Sequence, residues 1–423
     1  MLYEENTADP VMEKHPSLTK SPEQRSRSCV RSRFSQGHGL SRFRDDWLAG
    51  VTSRVVLLLS LVGIGCGPAH ALPGRVDLGL LRLPPGFHIS IYAEDLPGAR
   101  FMAFSPSGIL LVSLTEEGRV MALANPNRAE RLTRSYVLLD GLDLPHGLAF
   151  RGKDLYVAET GRVLRFPDAE TAVQAGRSIP KAQATVVVRD LPAKGMHFTR
   201  TIVFGPEGDL FVSVGSDCNV CLEKDRRRAA ILRFPAGGGQ EEVYASGLRN
   251  SVGLRLNPQD NQLWATDNGR DLLGDDLPPD KINIITQGGN YGWPFCYGNN
   301  IPDPQFRDPD RCRGTIPPAV ELRAHNAPLG LDFYSGNQFP AEYRGDLFVA
   351  LHGSWNRSQP DGYKLIRVHV KDGKPGRWED FATGWLQGRR AWGRPVDVLS
   401  GPDGALYVSD DTAEVIDRIT YGN

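Results

Sequence analysis

The stretch that decides the fold is Leu399-Ser-Gly-Pro-Asp-Gly-Ala-Leu-Tyr-Val-Ser409, which reads as an apolar strand, a tight turn and a second strand. Glycine supplies the positive φ that such a turn needs, and apolar residues alternate on both sides of it. The phrase therefore predicts a β-hairpin. Five further copies follow the same plan. They lie at residues 104–113, 148–157, 203–213, 256–265 and 339–350.

A single hairpin cannot bury its apolar face, so the six copies must pack against one another. Their spacing of roughly 40 to 80 residues is typical of sheets arranged radially, which leaves only short, protected edges. We therefore predict an all-β fold, a six-bladed β-propeller of four-stranded antiparallel blades. Residues 87–93 and 415–421 alternate like strands at the two ends of the repeats, and we expect them to share the closing blade.

The first 71 residues do not belong to this ring, and we expect a disordered extension followed by a cleaved signal peptide; alternatively, residues 1–54 lie upstream of the true start of translation. Residues 55–65 are apolar and uncharged but too short to span a bilayer, which takes ~20 residues. The triplet Ala69-His70-Ala71 provides a small-x-small cleavage site, so the mature domain would be residues 72–423. This predicts a periplasmic or secreted protein without stable membrane insertion. A lipoprotein anchored at Cys66 is the alternative.

The charge of the predicted mature chain argues against a nucleic-acid partner. Without residues 1–71, the chain has 40 Lys and Arg against 43 Asp and Glu. No basic surplus remains to contact a phosphate backbone.

Four cysteines remain in the predicted mature chain, and their even number suits an oxidising compartment. The favoured interpretation is two local disulfides, Cys218–Cys221 and Cys296–Cys312. A zinc site is the alternative, although it would need a second close ligand pair. Covalent haem is excluded because Leu222, not histidine, follows Cys221.

Polar residues cluster outside the strand phrases, in the loops that a propeller presents around its central channel. The clusters occupy residues 194–200, 247–253 and 267–294. Any one arginine or aspartate there could be an ordinary solvated loop residue. Their equivalent placement, next to the start or end of a blade, favours a shared site instead.

The loops and strands of the predicted ring contain several more specific motifs: His197 with Arg200, Leu-Arg-Asn at 248–250, Asp-Lys-Ile-Asn-Ile-Ile at 280–285, Gly-Gly-Asn-Tyr-Gly-Trp-Pro at 288–294, Leu-Pro-His-Gly-Leu-Ala-Phe at 144–150, Cys-Asn-Val-Cys at 218–221 and Gly-Ser-Trp-Asn-Arg at 353–357. Together these motifs resemble the soluble sugar dehydrogenases that depend on pyrroloquinoline quinone (PQQ), and in particular the sorbosone dehydrogenase-like branch. The resemblance covers essentially residues 80–421 and implies PQQ and Ca²⁺ as cofactors and a small-molecule sugar as substrate.

The resemblance implies roles for three residues in catalysis. The catalytic base would be His197, whose neutral imidazole can take a proton from a sugar hydroxyl as hydride leaves for the quinone. Arg249 would stabilise the charge that develops on the quinone oxygen, and Asn250 would hold a cofactor oxygen.

The resemblance also implies a calcium site at the quinone edge. Main-chain carbonyl oxygens of Gly269 and Arg270 would bind the ion, with Asp280 as an outer partner. The family often has proline where this chain has Arg270. That departure puts the calcium geometry in question.

Arg394 matches a family arginine and would bind a carboxylate of the cofactor, because the guanidinium group can form two parallel hydrogen bonds to a carboxylate. A family lysine that grips PQQ has no clear counterpart here, and Asn356 or Arg357 would replace it. Val396 occupies the position of a second family arginine. His146 would line the substrate side of the channel, unless it is simply hydrogen-bonded between blades.

Two other classes of function stay open. A calcium-dependent lactonase would need glutamate on the channel metal, and the loops offer no obvious one. A non-catalytic extracellular binding propeller would not need His197 or Arg249. Because no haem motif is present, a dehydrogenase would pass its electrons to an external acceptor such as a cytochrome c or a quinone.

Overall fold

The structure is a computed structural model that describes residues 76–125, 132–238 and 240–422, which all lie in the compact unit His70–Asn423. The predicted signal peptide and cleavage site fall outside these residues and stay predictions. Across the described ranges we find no helix long and apolar enough to cross a membrane.

The described residues form six sheets that each contain four antiparallel strands, as the repeats predicted, and the short strand Gly289–Asn290 adds to the third sheet in parallel. Blades 1 and 2 consist of Ala99–Phe104, Leu110–Leu114, Arg119–Ala124 and Arg134–Leu139, then Leu148–Arg151, Asp154–Glu159, Arg162–Phe166 and Thr185–Val188. Blades 3 and 4 consist of Ile202–Phe204, Leu210–Val214, Ala230–Phe234 and Glu242–Ser246, then Leu254–Leu256, Leu263–Asp267, Asp280–Ile285 and Val320–Leu322. Blades 5 and 6 consist of Pro328–Phe333, Leu347–Leu351, Lys364–Lys371 and Lys374–Ala382, then Pro395–Ser400, Leu406–Asp410, Val415–Tyr421 and Phe87–Ala93.

The first strand of each blade contacts the first strand of the next blade, and the sixth contacts the first. These contacts close the six sheets into a propeller. The closing blade joins the two ends of the domain, because Phe87–Ala93 pairs antiparallel with Val415–Tyr421. The predicted fold and the predicted closing blade are both confirmed.

The hairpin turns follow the repeated phrase in five of the six blades. Gly108, Gly208 and Gly404 have φ of 84°, 88° and 82° at their turns, and Asn261 takes the same role with φ 58°. The fifth copy, residues 339–350, is not a simple hairpin. Its first strand ends at Phe333, and a longer connection with a short helical turn precedes the second strand.

The hydrophobic core lies between blades, since every sheet packs both faces against its neighbours. All five residues of Leu110–Leu114 are buried, as are all five of Leu347–Leu351. Truncation of a leucine in such a strand typically costs about 2–5 kcal/mol of unfolding free energy. The strands therefore form a rigid frame, and the connecting loops carry the chemistry.

Short elements decorate the loops. The helices are Ala169–Gln174, which is α-helical, and the 3-10 turns Leu78–Leu80, Lys181–Gln183, Pro309–Cys312 and Ala341–Tyr343. The added strands are Gly289–Asn290, Cys296–Tyr297, Ile301–Pro302, Leu386–Gln387 and Arg390–Ala391. Both predicted disulfides are present, Cys218–Cys221 and Cys296–Cys312.

Candidate active site

Two adjoining cavities receive most of the residues that the sequence singled out. The first has a volume of about 470 Å³ and the second about 640 Å³, which is the size range of small-molecule sites. Met196, His197 and Asn250 line both cavities and mark their junction. A third cavity of about 670 Å³ lies near the hairpin turns of blades 1 and 6, and none of the predicted site residues lines it.

His197 is held as a neutral imidazole. Its Nδ1 lies 2.9 Å from the main-chain oxygen of Ser216, and a carbonyl oxygen can only accept, so Nδ1 carries the proton. The unprotonated Nε2 then has its lone pair free, because no described residue hydrogen-bonds to it. Burial, reinforced by the positive charge of Arg249, lowers the pKa of His197 to about 3. This is the protonation state that a general base needs.

The loop that carries His197 is fixed by buried arginine. Arg200 is fully buried, and its Nη1 donates to the main-chain oxygens of His197 at 3.1 Å and Thr199 at 2.6 Å. Burial, with a smaller effect from Arg228, lowers the pKa of Arg200 to about 10. The guanidinium thus binds loop carbonyls rather than facing the cavity, and it holds His197 in place.

Arg249 forms part of the wall of the first cavity and is only 4% exposed. Its Nη2 lies 3.0 Å from Asp271 Oδ2 and 3.0 Å from Asn219 Oδ1, and its Nε donates to the Asn219 main-chain oxygen at 2.9 Å. Burial lowers the pKa of Arg249, and the charge of Asp271 opposes that shift. The cation is therefore fixed in position within reach of the cavity.

Asn250 is placed at the junction of the cavities by its main chain. Its amide donates to Asp267 Oδ1 at 2.8 Å, and its carbonyl oxygen accepts from the Asn268 amide at 3.1 Å. A Cβ added at Gly215 would meet both Asn250 Oδ1 and His197 Cβ at 2.6 Å. Gly215 therefore allows the two predicted site residues to lie side by side.

Asp280 places a buried carboxylate in the wall of the first cavity. The amides of Gly269 and Ala327 each donate to one of its carboxylate oxygens at 2.8 Å. Burial raises the pKa of Asp280 to about 6. Gly269 and Asp280 both line the cavity, whereas Arg270 does not. Instead, Nη1 of Arg270 donates to both carboxylate oxygens of Asp303, at 2.8 and 2.9 Å.

Asn356 and Arg357 differ in position, although the sequence offered them as alternatives. Asn356 lines the first cavity, donates to Asp271 Oδ1 at 2.9 Å, and has a buried Oδ1 with no partner among the described residues. Arg357 lies outside both cavities, with Nη1 3.2 Å from the Ala324 carbonyl oxygen and Nη2 3.3 Å from Asp276. Of the two residues, Asn356 is therefore the one that the structure places in a cavity wall, while the guanidinium of Arg357 is bound to other loops.

Arg394 lines the second cavity and is anchored by the main chain of blade 5. Its Nε donates to the His352 oxygen at 3.0 Å, and its Nη2 donates to the Gly353 oxygen at 2.7 Å. Val396, by contrast, is fully buried in a small apolar cluster with Phe101. Where the resemblance implies a second arginine, this chain therefore has a buried apolar side chain.

His146 lies between blades 1 and 2, away from the walls of both cavities. The side chain is fully buried and lines neither of the two cavities. Its ring lies 4.2 Å from the ring of Phe101, and Nδ1 is 3.4 Å from Thr201 Oγ1. Burial lowers its pKa well below the ordinary value. The contact with Thr201 fits the alternative, a histidine hydrogen-bonded between blades, while Nε2 has no hydrogen-bond partner among the described residues. The role of His146 in the site stays a prediction.

Three site residues were missed by the sequence prediction. Asp271 pairs with Arg249 and Asn356 in the wall of the first cavity, and Asn219 bonds to both Arg249 and Asp271. Arg100 lines the second cavity, where its Nη1 lies 2.7 Å from Asp411. Like Arg394, Arg100 lies at the start of the innermost strand of its blade. This shared position in the repeat could have identified Arg100 from the sequence.

The chain can be placed in a family by comparison. Residues 81–417 match the family model described as TrAA12-like. The chain belongs to the TrAA12-like family.

Among relatives of this TrAA12-like protein is an uncharacterised protein of Borreliella burgdorferi, 32% identical over 81% of this chain and 91% of that protein. Another is the pyrroloquinoline quinone-dependent pyranose dehydrogenase of Coprinopsis cinerea, 26% identical over 78% of this chain. The match covers 53% of that enzyme, so this chain spans about half its length. The calcium structure of a Trichoderma reesei enzyme of carbohydrate-active family AA12 has a TM-score of 0.68 and 21% identity, covering 83% of this chain and 100% of that one, and shows the shared fold.

Proposed function

We propose that this protein is a PQQ- and Ca²⁺-dependent dehydrogenase that oxidises a sugar or sugar aldehyde and passes the electrons to an external acceptor. The observation that carries the proposal is the neutral His197, with Nδ1 fixed by Ser216 and Nε2 free, beside the buried cation of Arg249. Family membership and the PQQ-dependent pyranose dehydrogenase among the relatives support it.

The residues present suit the proposed cofactor. The buried Oδ1 of Asn356, which has no hydrogen-bond partner in the part of the chain that the structure describes, and the carboxylate of Asp280 both belong to the first cavity. Hard oxygen ligands of this kind suit Ca²⁺. Gly269, which also lines this cavity, would add a main-chain oxygen. Arg100 and Arg394 place two guanidinium groups along the second cavity, which suits a cofactor with several carboxylates.

When bound, PQQ supplies a quinone that accepts hydride. The task of the chain is to orient the sugar, remove one proton and stabilise negative charge. His197 Nε2 would take the hydroxyl proton, and the Nδ1 bond to Ser216 steadies the resulting imidazolium. Arg249 would face the charge that develops on the cofactor oxygen, and Asn250 would bind a cofactor oxygen at the junction of the cavities. Because Arg249 is already positioned by Asn219 and Asp271, it needs no reorganisation during the reaction.

The direct test is reconstitution of the purified protein with PQQ and Ca²⁺. Aldoses, sorbosone and simple alcohols are then screened with an artificial electron acceptor, and the His197→Ala variant is the matched control. We expect sugar-dependent reduction of the acceptor that needs PQQ and is lost in the variant. Hydrolysis of lactones without PQQ would favour the calcium-dependent lactonase instead. Sugar binding without turnover would favour a binding propeller.

Export to the periplasm or the medium completes the proposal, since the two disulfides suit an oxidising compartment. An exported protein could pass its electrons to a cytochrome c or a quinone outside the cytoplasm. The predicted mature chain has no excess of basic residues, so we propose no nucleic-acid partner. Intact-mass analysis of the exported protein should give an N-terminus at Leu72. Retention of residues 1–60 would contradict the proposed processing.

A further inference from the structure

The disulfide Cys218–Cys221 closes a ring of four residues immediately beside the candidate active site. The ring follows the second strand of blade 3 by three residues, and it is partly exposed, as is the segment after it. Leu222, the next residue, is 61% exposed. Apolar packing therefore contributes little to holding this loop, and the covalent ring must supply much of its order.

One contact of the ring reaches Arg249 and Asp271 through Asn219. The Oδ1 of Asn219 accepts from Arg249 Nη2 at 3.0 Å and from the Asp271 amide at 2.7 Å, while its Nδ2 donates to the Asp271 main-chain oxygen at 3.1 Å. Its main-chain oxygen also accepts from Arg249 Nε at 2.9 Å. A single residue of the ring thus fixes both members of the Arg249–Asp271 ion pair.

The other contact reaches His197 through Ser216. The hydroxyl of Ser216 donates to the Cys218 main-chain oxygen at 2.6 Å and lies 3.1 Å from His197 Nδ1. The Ser216 main-chain oxygen accepts from the same nitrogen. The ring is therefore connected to His197 on one side and to Arg249 on the other.

We propose that the Cys218–Cys221 ring is a positioning element that sets the geometry of His197 and Arg249 relative to each other. Its residues do not react. Asn219 acts through Arg249 and Asp271, and Ser216 acts through His197. A ring this short restricts the unfolded chain less than the Cys296–Cys312 loop does, so its main effect should be local. The proposal rests on the proposed function only for the identity of the cofactor used as a probe.

The first test needs no cofactor. Hydrogen–deuterium exchange is compared between wild type and the double variant Cys218→Ser/Cys221→Ser, with Asn219→Ala as a second variant that keeps the disulfide. We expect faster exchange in residues 217–222 and also in 247–250 and 269–272, because the contacts of Asn219 are loosened or lost. Val220→Ala, in the same ring, is the matched control and should exchange like wild type. Faster exchange confined to residues 217–222 in both variants would overturn the proposal.

The second test measures affinity for PQQ in excess Ca²⁺ by isothermal titration. We expect at least tenfold weaker binding for the double variant and for Asn219→Ala. The midpoint of thermal unfolding of both variants should stay close to that of wild type. Val220→Ala should bind PQQ with wild-type affinity. Wild-type affinity in both variants would overturn the positioning role. Failure of the wild type itself to bind PQQ would contradict the proposed function, and the exchange experiment would still decide the positioning role.

Discussion

The imidazole of His197 donates a hydrogen bond through Nδ1 to the main-chain oxygen of Ser216 at 2.9 Å. This contact selects one neutral tautomer, and it places the unprotonated nitrogen on the side away from Ser216. His197 lines both cavities of the candidate site. One hydrogen bond therefore defines which nitrogen can act as the base.

The first prediction separates the base from the cofactor contacts. His197→Ala should lower kcat by ~10² to 10⁴ because no group is left to take the hydroxyl proton, while PQQ affinity stays nearly unchanged. Stopped-flow absorbance of the bound quinone at saturating sugar measures the reductive step, and titration measures affinity. A variant that reduces its quinone at the wild-type rate would show that His197 is not the base.

The second prediction concerns Arg249. Arg249→Ala should weaken PQQ binding and slow cofactor reduction by ~10² to 10³, because the fixed cation is lost and Asp271 is left without its ion-pair partner. Arg249→Lys is the control, since it keeps the charge without the planar fork that reaches Asn219 and Asp271 together. We expect only partial recovery in that variant. Equal affinities and rates in wild type and Arg249→Ala would refute the role.

The repeats predicted the fold well because each hairpin is encoded locally. Strand alternation and a turn residue with positive φ lie within about ten residues of one another, and the cysteine pairs are also close in sequence. The fifth blade shows the limit of this approach, since the connection that ends at Leu347 is longer than the phrase suggested.

The candidate site was predicted only in part, because its contacts join distant segments. Asp271 meets Asn356 across 85 positions, and Arg100 meets Asp411 across 311. No local pattern reports such pairs. The burial of His146 likewise depends on a ring from another blade, that of Phe101, and a motif alone cannot show which distant side chain covers a loop residue.

The third prediction concerns acid stability. The pKa of His197 is lowered to about 3, so between that pH and its ordinary pKa of about 6.5 the unfolded chain binds a proton that the folded chain does not. His197 therefore stabilises the fold fully above pH 6.5 and progressively less as pH falls. In the absence of cofactor, the unfolding free energy should fall between pH 7.5 and pH 5 in both proteins. The fall should be smaller in His197→Gln than in wild type, by up to about 2 kcal/mol. Denaturant titrations at both pH values measure this, and parallel curves for the two proteins would contradict it.

The fourth prediction tests whether His146 is a buried residue between blades rather than a contact in the site. His146→Ala should lower the unfolding free energy by about 2 kcal/mol, since it removes a buried ring packed on Phe101, and should leave PQQ affinity unchanged. His88→Ala, at an exposed strand position, is the control and should have little effect on stability. Chemical denaturation and PQQ titration provide the two measurements. A stable His146→Ala variant with impaired PQQ binding would restore His146 to the site.

The last prediction changes the shape of the site without removing any of its chemical groups. Gly215→Ala would place a methyl group 2.6 Å from Asn250 Oδ1 and 2.6 Å from His197 Cβ, well inside contact distance, so both side chains must move. Because a misplacement of about 1 Å can cost ~10² in rate, we expect kcat to fall by about that factor and PQQ affinity to weaken. Gly237→Ala is the matched control, since its added methyl would meet nothing within 4 Å and its φ is not positive. Wild-type kinetics in Gly215→Ala would mean that the proposed function does not depend on His197 and Asn250 lying side by side.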